Sequence, residues 1–406
     1  MKFFLLVFTF PFLLFSQTTS GLIAYYPFDN NYEDATGTTP NEAIPMGRPE
    51  FVCGPLKEGL LLDGQNDHLI LNGPVAEFFT NKDFTISFYF KPLSISGTTQ
   101  YLFSKSAMDC NGNRTLDIRY DPNSKIVSVF IAENAGKRVN LSYVLKEGEC
   151  WQHLVLTRKF NIIRLYINER PVAEGATGTA IDLSDDSDIY FGSSSCAVAN
   201  IQYFKGLLDE LRFYNRAFDR NEVIGLSLYP DRIATSDTLI FLGQSVQISM
   251  QKTCGNRVEW TPVVGVNAPQ LLEPLITPIT PGLKTYRSEI RDDISPCIAV
   301  DEIIINVIDP STLDCSKAYL PSAFTPNGDG LNDGYGISNP YALQEFKELV
   351  IEDRWGKIIF NTTNPFEKWD GTFNGTLLNP GVVSYRVKFV CNGEEINQFG
   401  TTTLLH

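Results

Sequence analysis

Between Phe84 and Phe90 the segment FTISFYF sets Phe84, Ile86, Phe88 and Phe90 at alternate positions against Thr85, Ser87 and Tyr89. Successive side chains leave a pleated backbone on opposite sides, so a period of two marks an extended strand with one face on a core. Similar signals recur in KIVSVFIA, HLVLTRK and IIRLYINERPV, the last with a hairpin turn expected over residues 168–170. The 30 glycines, 23 prolines and 12% aromatics favour short strands and frequent turns over long helices. An all-β chain is expected, and 406 residues with 43% hydrophobic content allow two or three separate cores.

The N-terminus reads as a secretory signal peptide over residues 1–16: Lys2, the apolar run FFLLVFTFPFLLF, then the small polar stretch SQTTSG. That apolar run is too short to span a bilayer comfortably, so no transmembrane anchor is expected. No cysteine adjoins the expected cleavage near Ser16 and Gln17, so no lipidated terminus is expected either. With 33 basic and 47 acidic residues the formal charge is −14, which argues against nucleic acid as a partner.

Strand signals fill a first unit, residues 17–229, with a short closing helix whose Asp219 and Glu222 have capping-box spacing. A second unit, 230–310, has a tryptophan six residues after a cysteine and a terminal alternating strand, which suggests an immunoglobulin-like spacer. The third, 315–406, reads as a small β-sandwich in which Val383, Tyr385, Val387 and Phe389 share a face. The eight cysteines fall four, two and two over these units, with no CxxC or Cys/His cluster, the pattern of disulfides in an exported chain. If each bridge stays within its unit, Cys254 pairs with Cys297 and Cys315 with Cys391. Cys53, Cys110, Cys150 and Cys196 are left with three possible connectivities.

Catalytic spacing is not evident, and no enzymatic activity is expected. There is no GxSxG elbow, and His153 reads as a structural, hydrogen-bonded residue beside Cys150. In the strand GLLDELRFY, strict alternation puts Leu207, Asp209, Leu211 and Phe213 on one face and Leu208, Glu210, Arg212 and Tyr214 on the other. Neighbours on opposite faces cannot act as the carboxyl pair of a glycosidase. Asp209 among apolar side chains needs donors or a cation. Calcium, which takes six to eight oxygens, has candidate ligands in Asp29, Asp63, Asp67 and Asp209, although Asp63, Gly64 and Asn66 also read as a plain hairpin turn. In FTPNGDGLND, residues 324–333, an EF-hand is excluded: counted from Asn327, the twelfth place is Ser338, which supplies no bidentate carboxylate.

The blocks IAYYPFDNNYEDATG, GLLLDGQNDHLIL, FTISFYFKP, CWQHLVLTRKFNIIRLYINERPVAEG and GLLDELRFYNRAFDRNEV resemble, in order, a laminin-G-like domain of the concanavalin-A jelly-roll type. That resemblance implies an adhesive or carbohydrate-binding domain, with a glycan or an extracellular surface protein as partner. It also implies one calcium ion, with Asp29 and Asp209 as its ligands. FTPNGDGLND, DRWGKIIF, KWDGTFNG and NPGVVSYRV resemble the gliding-motility-associated C-terminal domain of Bacteroidetes, the type B sorting domain of type IX secretion. It implies delivery by that machinery to the outer surface or beyond. A glycoside hydrolase or lyase on the jelly roll, or a structural part of the cell surface or gliding apparatus, are the alternative readings.

Overall fold

The computed structural model describes residues 19–37, 41–197, 201–327 and 332–405. The expected signal peptide lies outside the described residues, as do residues 328–331 of FTPNGDGLND. The described part is essentially all-β.

Two eight-stranded sheets form the first unit. Sheet I runs in the order Arg170–Ala176, Ile162–Ile167, Gln152–Lys159, Phe84–Pro92, Lys205–Tyr214, Glu58–Asp63, Glu50–Cys53, and Leu22–Tyr26 pairs with Lys205–Tyr214. Sheet II runs Lys137–Val144, Ile126–Asn134, Thr115–Asp121, Thr99–Ser106, Ile189–Phe191, His68–Asn72, Glu42–Met46, with Ile201–Tyr203 parallel to Thr99–Ser106. Phe84, Ile86, Phe88 and Phe90 face the interior between the sheets and join one core cluster with Leu102, Ile118, Val129 and Phe191. Each such side chain contributes roughly 1.5–3 kcal/mol through burial.

The alternation in FTISFYF predicts one buried face, and the structure buries both: Thr85, Ser87 and Tyr89 are also enclosed. The cover is the chain that follows Tyr214. The helix Arg220–Ile224, started by the Asp219/Glu222 capping box, folds back so that Phe218, Val223 and Leu226 pack on Val155, Tyr166 and Tyr214. Phe218 N and the Arg216 carbonyl both bond the Thr85 hydroxyl, fixing this return. Asn168 and Glu169 form a two-residue hairpin with φ of 48° and 61°, the primed turn that matches strand twist without any glycine.

A four-stranded sheet, Thr238–Phe241, Ala299–Ile308, Gly282–Arg291 and Arg257–Thr261, and the pair Val246–Gln247 and Leu275–Ile276 build the second unit around Trp260, Tyr286 and Ile303. The third is a five-stranded sheet, Ala323–Phe324, Glu394–Leu404, Gly381–Cys391, Glu345–Glu352 and Ile358–Thr362, with Trp369, Val387 and Phe389 in its core.

The expected Cys254–Cys297 bridge is replaced by two bridges that cross between units, Cys53–Cys254 and Cys150–Cys297. Both cysteines of the second unit stand in loops outside its strands, at the end that meets the jelly roll. Around these bridges Lys91 pairs with Asp292, both nearly enclosed, and Val300 N donates to the Gly148 carbonyl at 2.8 Å. Arg232 reaches Glu149 at 3.0 Å and Asp301 at 3.1 Å. Cys110–Cys196 ties two loops of the jelly roll, and Cys315–Cys391 closes the third unit.

Non-reducing peptide mapping should therefore recover linked peptides for Cys53–Cys254 and Cys150–Cys297 and none for Cys254–Cys297. Proteolytic cleavage between residues 230 and 236 should leave the two units joined until a reductant is added. Removing either bridge by paired Ser substitution should cost about 2–5 kcal/mol.

Candidate functional site

The strand Lys205–Tyr214 does not alternate throughout. Asp209 pairs with Tyr89, and the next pair is Arg212 with Ser87, so one extra residue bulges out, with Glu210 at a φ of 56°. Leu208, Leu211 and Phe213 enter the core, whereas Leu207 packs with Tyr89 and Trp151 on the other side of the sheet. This corrects the expected faces in part: Asp209 is separated from Leu211 and Phe213, and Leu208 from Arg212, whereas Glu210 and Arg212 share a side as expected. Arg212 and Glu210 form an ion pair in which each side chain is 1% exposed. Tyr25 OH donates to Glu210 at 2.9 Å, and the guanidinium lies 4.2 Å from the Tyr25 ring centroid.

Asp209 is fully buried. Its Oδ1 accepts Glu210 N at 2.8 Å, and its Oδ2 is enclosed without a hydrogen-bond partner. Burial raises its carboxyl well above the usual range, and the charges of Glu210 and Asp29 add to that rise. Asp29 follows the strand Leu22–Tyr26 between Phe28 and Asn30, whose φ values of 52° and 58° turn the chain toward sheet I. Its Oδ2 accepts from Lys57 at 2.7 Å and its Oδ1 from Glu58 N at 3.4 Å. The turn from Gly54 to Glu58 closes the group, and Gly54 is required by space: a Cβ there would stand 2.6 Å from Asp209 Oδ2 and 2.7 Å from the Glu58 carbonyl oxygen. Glu58 Oε2 is a second enclosed oxygen without a partner.

An enclosed, unpartnered carboxylate oxygen that feels the charge of a second carboxylate is a hard-oxygen donor, and it suits a hard cation. Among the described residues no group of three or more His, Cys, Asp or Glu side chains is placed to hold a metal ion, so an ion would draw on two carboxylates and on main-chain oxygens. The other two acidic candidates are engaged by main-chain amides of their own and the adjacent loop. Asp63 Oδ1 accepts from Gln65 N at 2.7 Å, and Asp67 accepts from Arg48 N at 2.6 Å and Asp63 N at 3.1 Å.

Residues 63–224 match a laminin-G family described as the concanavalin A-like lectin/glucanases superfamily, and residues 318–404 match the CHU_C type IX secretion signal domain. The chain carries a laminin-G-like, concanavalin-type domain and a type IX secretion domain. It is a lectin-like protein of the outer surface or the secreted fraction, consistent with Bacteroidetes gliding-motility surface proteins. The secretion domain makes the type IX machinery its partner. No described helix is long and apolar enough to cross a membrane.

No curated protein matches the chain. Among solved structures, domain 4 of the extracellular arabinanase AbnA from Geobacillus stearothermophilus, in complex with arabinotriose, is 21% identical, with TM-score 0.40, covering 50% of this chain and 97% of that one. Trypanosoma rangeli sialidase is 21% identical, with TM-score 0.38, covering 52% of this chain and 33% of the sialidase. The CBM40 of a Ruminococcus gnavus sialidase is 16% identical, with TM-score 0.36, covering 42% of this chain and 96% of that one.

One of the two histidines of the laminin-G-like domain, His153, sits inside a buried polar chain. His153 Nε2 meets Ser87 Oγ at 2.8 Å and its Nδ1 meets Ser227 Oγ at 3.3 Å. Ser227 in turn donates to Glu169 Oε1 at 2.5 Å, and the imidazole stacks on Tyr89 with centroids 4.4 Å apart. Ser87 is fully enclosed and presents no nucleophile at a surface. No short motif could have shown this chain, because its members come from four separate segments. It borders a polar cavity of about 310 Å³ between the jelly roll and the second unit, lined also by Asp231, Arg232 and Tyr229.

Burial, with the charge of Arg212 adding, lowers the His153 pKa to about 3. Below pH ~6.5 the unfolded chain takes up a proton here that the folded chain refuses. Unfolding free energy should therefore fall by up to ~1.4 kcal/mol per pH unit as pH drops from about 6.5 toward 3. His153→Gln should flatten that slope in urea titrations, and an unchanged slope would contradict this account.

Proposed function

We propose that the protein is a non-enzymatic binding protein of the cell surface, whose laminin-G-like domain engages a glycan or an extracellular surface protein and holds a calcium ion at Asp29 and Asp209. The observation that carries this reading is the joining, on one chain, of a lectin-class sandwich and a type IX secretion domain. Binding is favoured over hydrolysis because Glu210 and Glu169 are held by their neighbours, Glu210 by Arg212 and Tyr25 and Glu169 by Ser227, and the orphaned Asp209 oxygen is enclosed away from any substrate.

The calcium part rests on the orphaned Asp209 Oδ2. Asp29, Asp209 and main-chain oxygens of the turn 54–58 would hold the ion, and its charge would offset a carboxylate that burial otherwise disfavours. Asp209 has a folded pKa above its unfolded one, so without an ion its charge opposes folding increasingly as pH rises above the unfolded value, about 4. The ion reverses that penalty, and the Asp29 loop and the turn 54–58 become fixed on sheet I.

Calorimetry should show calcium raising the unfolding temperature of the full chain, with a gain of ~2.7 kcal/mol at a hundredfold excess over Kd. Asp209→Asn should stabilise the chain in chelator by ~1–3 kcal/mol and abolish the calcium-dependent gain. No calcium-dependent shift in the wild type would remove the ion from this proposal. Binding itself is tested on a glycan array and on extracellular matrix proteins, with and without chelator. Retention of glycan or protein ligand is expected in calcium, and no retention under either condition would overturn the binding reading.

A further inference from the structure

On the outer side of sheet II the strands Thr115–Asp121, Ile126–Asn134 and Lys137–Val144 align their side chains in rows. Arg119 stands opposite Ser128, and Ser128 opposite Ser142; Asp117 stands opposite Phe130, and Phe130 opposite Asn140. Strands repeat every ~4.8 Å and alternate residues every ~6.7 Å, so the two rows make a grid on the scale of a single sugar ring. A groove of about 330 Å³ runs between them, lined by Arg119, Ser128, Phe130, Asn140 and Ser142.

A solvated sandwich face accounts for the hydroxyls and the amide. It does not account for Phe130, which is only partly buried in the middle of them while its neighbours Val129 and Ile131 are in the core. Nor does it account for the handling of Arg119. That side chain is 28% exposed, yet it donates to the buried carboxylate of Asp117 at 2.5 Å and lies over the Tyr101 ring at 5.0 Å. Asp117 is held from beneath by Ser104 Oγ at 2.7 Å and Ser106 Oγ at 3.3 Å, and Ser104 by Ser194 at 2.8 Å. Burying a carboxylate and three hydroxyls under one surface arginine fixes its guanidinium before any ligand arrives. A fixed fork of donors loses little entropy on binding.

We infer that this groove is the glycan site of the laminin-G-like domain, taking a pyranose whose apolar face lies on Phe130 while its hydroxyls meet Arg119, Asn140, Ser128 and Ser142. Aromatic faces receive the C–H side of a sugar, and planar amide and guanidinium groups bridge vicinal hydroxyls. Asp117 compensates the Arg119 charge, so the site is matched to hydroxyl-rich sugars and does not depend on an acidic one. The inference rests on the glycan-binding reading given above and lies on the opposite sheet from Asp29 and Asp209.

The test is affinity electrophoresis of the full secreted chain in gels containing xylan, mannan, mixed-linkage β-glucan or polygalacturonate. Retardation by one or more of the neutral polysaccharides is expected. Phe130→Ala should weaken it about tenfold. Asn140→Ala with Ser142→Ala, two exposed positions whose loss should leave the unfolding temperature unchanged, should weaken it several-fold. Wild-type retardation that persists undiminished in both variants would overturn the site and leave the glycan reading standing. Retardation by polygalacturonate alone would overturn the neutral-sugar assignment, and no retardation in any gel would overturn the site together with the glycan reading.

Discussion

Arg212 and Glu210 are paired on the outer side of sheet I where both are 1% exposed, and Tyr25, Asp209 and His153 are arranged around them. Removing two charges from water costs several kcal/mol apiece unless the geometry returns it. Three features return it: the close pairing of Glu210 and Arg212 beside the one-residue bulge, the Tyr25 ring against the guanidinium, and the Tyr25 hydroxyl on the carboxylate. The same bulge turns Asp209 toward Gly54 and Asp29. Burial, with the positive charge of Arg212 adding from two strands away, keeps His153 neutral, and the imidazole stacks flat on Tyr89 of the strand between them under the cover supplied by residues 215–228. Losing one partner of the ion pair would leave an uncompensated charge beneath that cover.

What could be read along the chain was what depends on near neighbours. FTISFYF announces a strand and its core face because period two is a local property, and the Asp219/Glu222 capping box announces a helix for the same reason. The second burial of Thr85, Ser87 and Tyr89 was hidden because its cover comes from chain about 130 residues later. The bulge at Glu210 carries no glycine to mark it, and strict alternation misassigned Asp209 to the side of Leu211 and Phe213 and Leu208 to the side of Arg212. Cys254 and Cys297 were misread because the assumption that bridges stay within a unit says nothing about how units dock. Asp29 and Asp209 come from distant segments, and only their residue types and the family pattern pointed to them. The Arg119, Phe130 and Asn140 rows were illegible for another reason: register across three strands decides which side chains meet.

The joint between the first two units has a chemical consequence for the carboxylate group. Cys53 ends an edge strand of sheet I, Gly54 begins the turn that presses on Asp209, and Cys254 Sγ lies 3.4 Å from the Gly54 carbonyl oxygen. The turn that encloses Asp29 and Asp209 is thus tied on one side to the sheet and on the other, through Cys53–Cys254, to the second unit. Anything that tightens the turn also tightens the joint, and by linkage a secured joint favours whatever tightens the turn. The contact between the second and third units is of another kind: Tyr341 stacks on Phe241 with centroids 4.0 Å apart and bonds Gln244, with no covalent bridge across it. The secretion domain is therefore joined to the rest by main chain and a small aromatic contact, whereas the lectin-like domain and its neighbour are bound as one piece. A load taken up at the jelly roll passes into the second unit through two disulfides and a buried Lys91–Asp292 pair. Among the described residues it reaches the secretion domain through the main chain near Cys315, the Phe241–Tyr341 stack and the Gln244–Tyr341 hydrogen bond, with no disulfide or buried ion pair across that second joint.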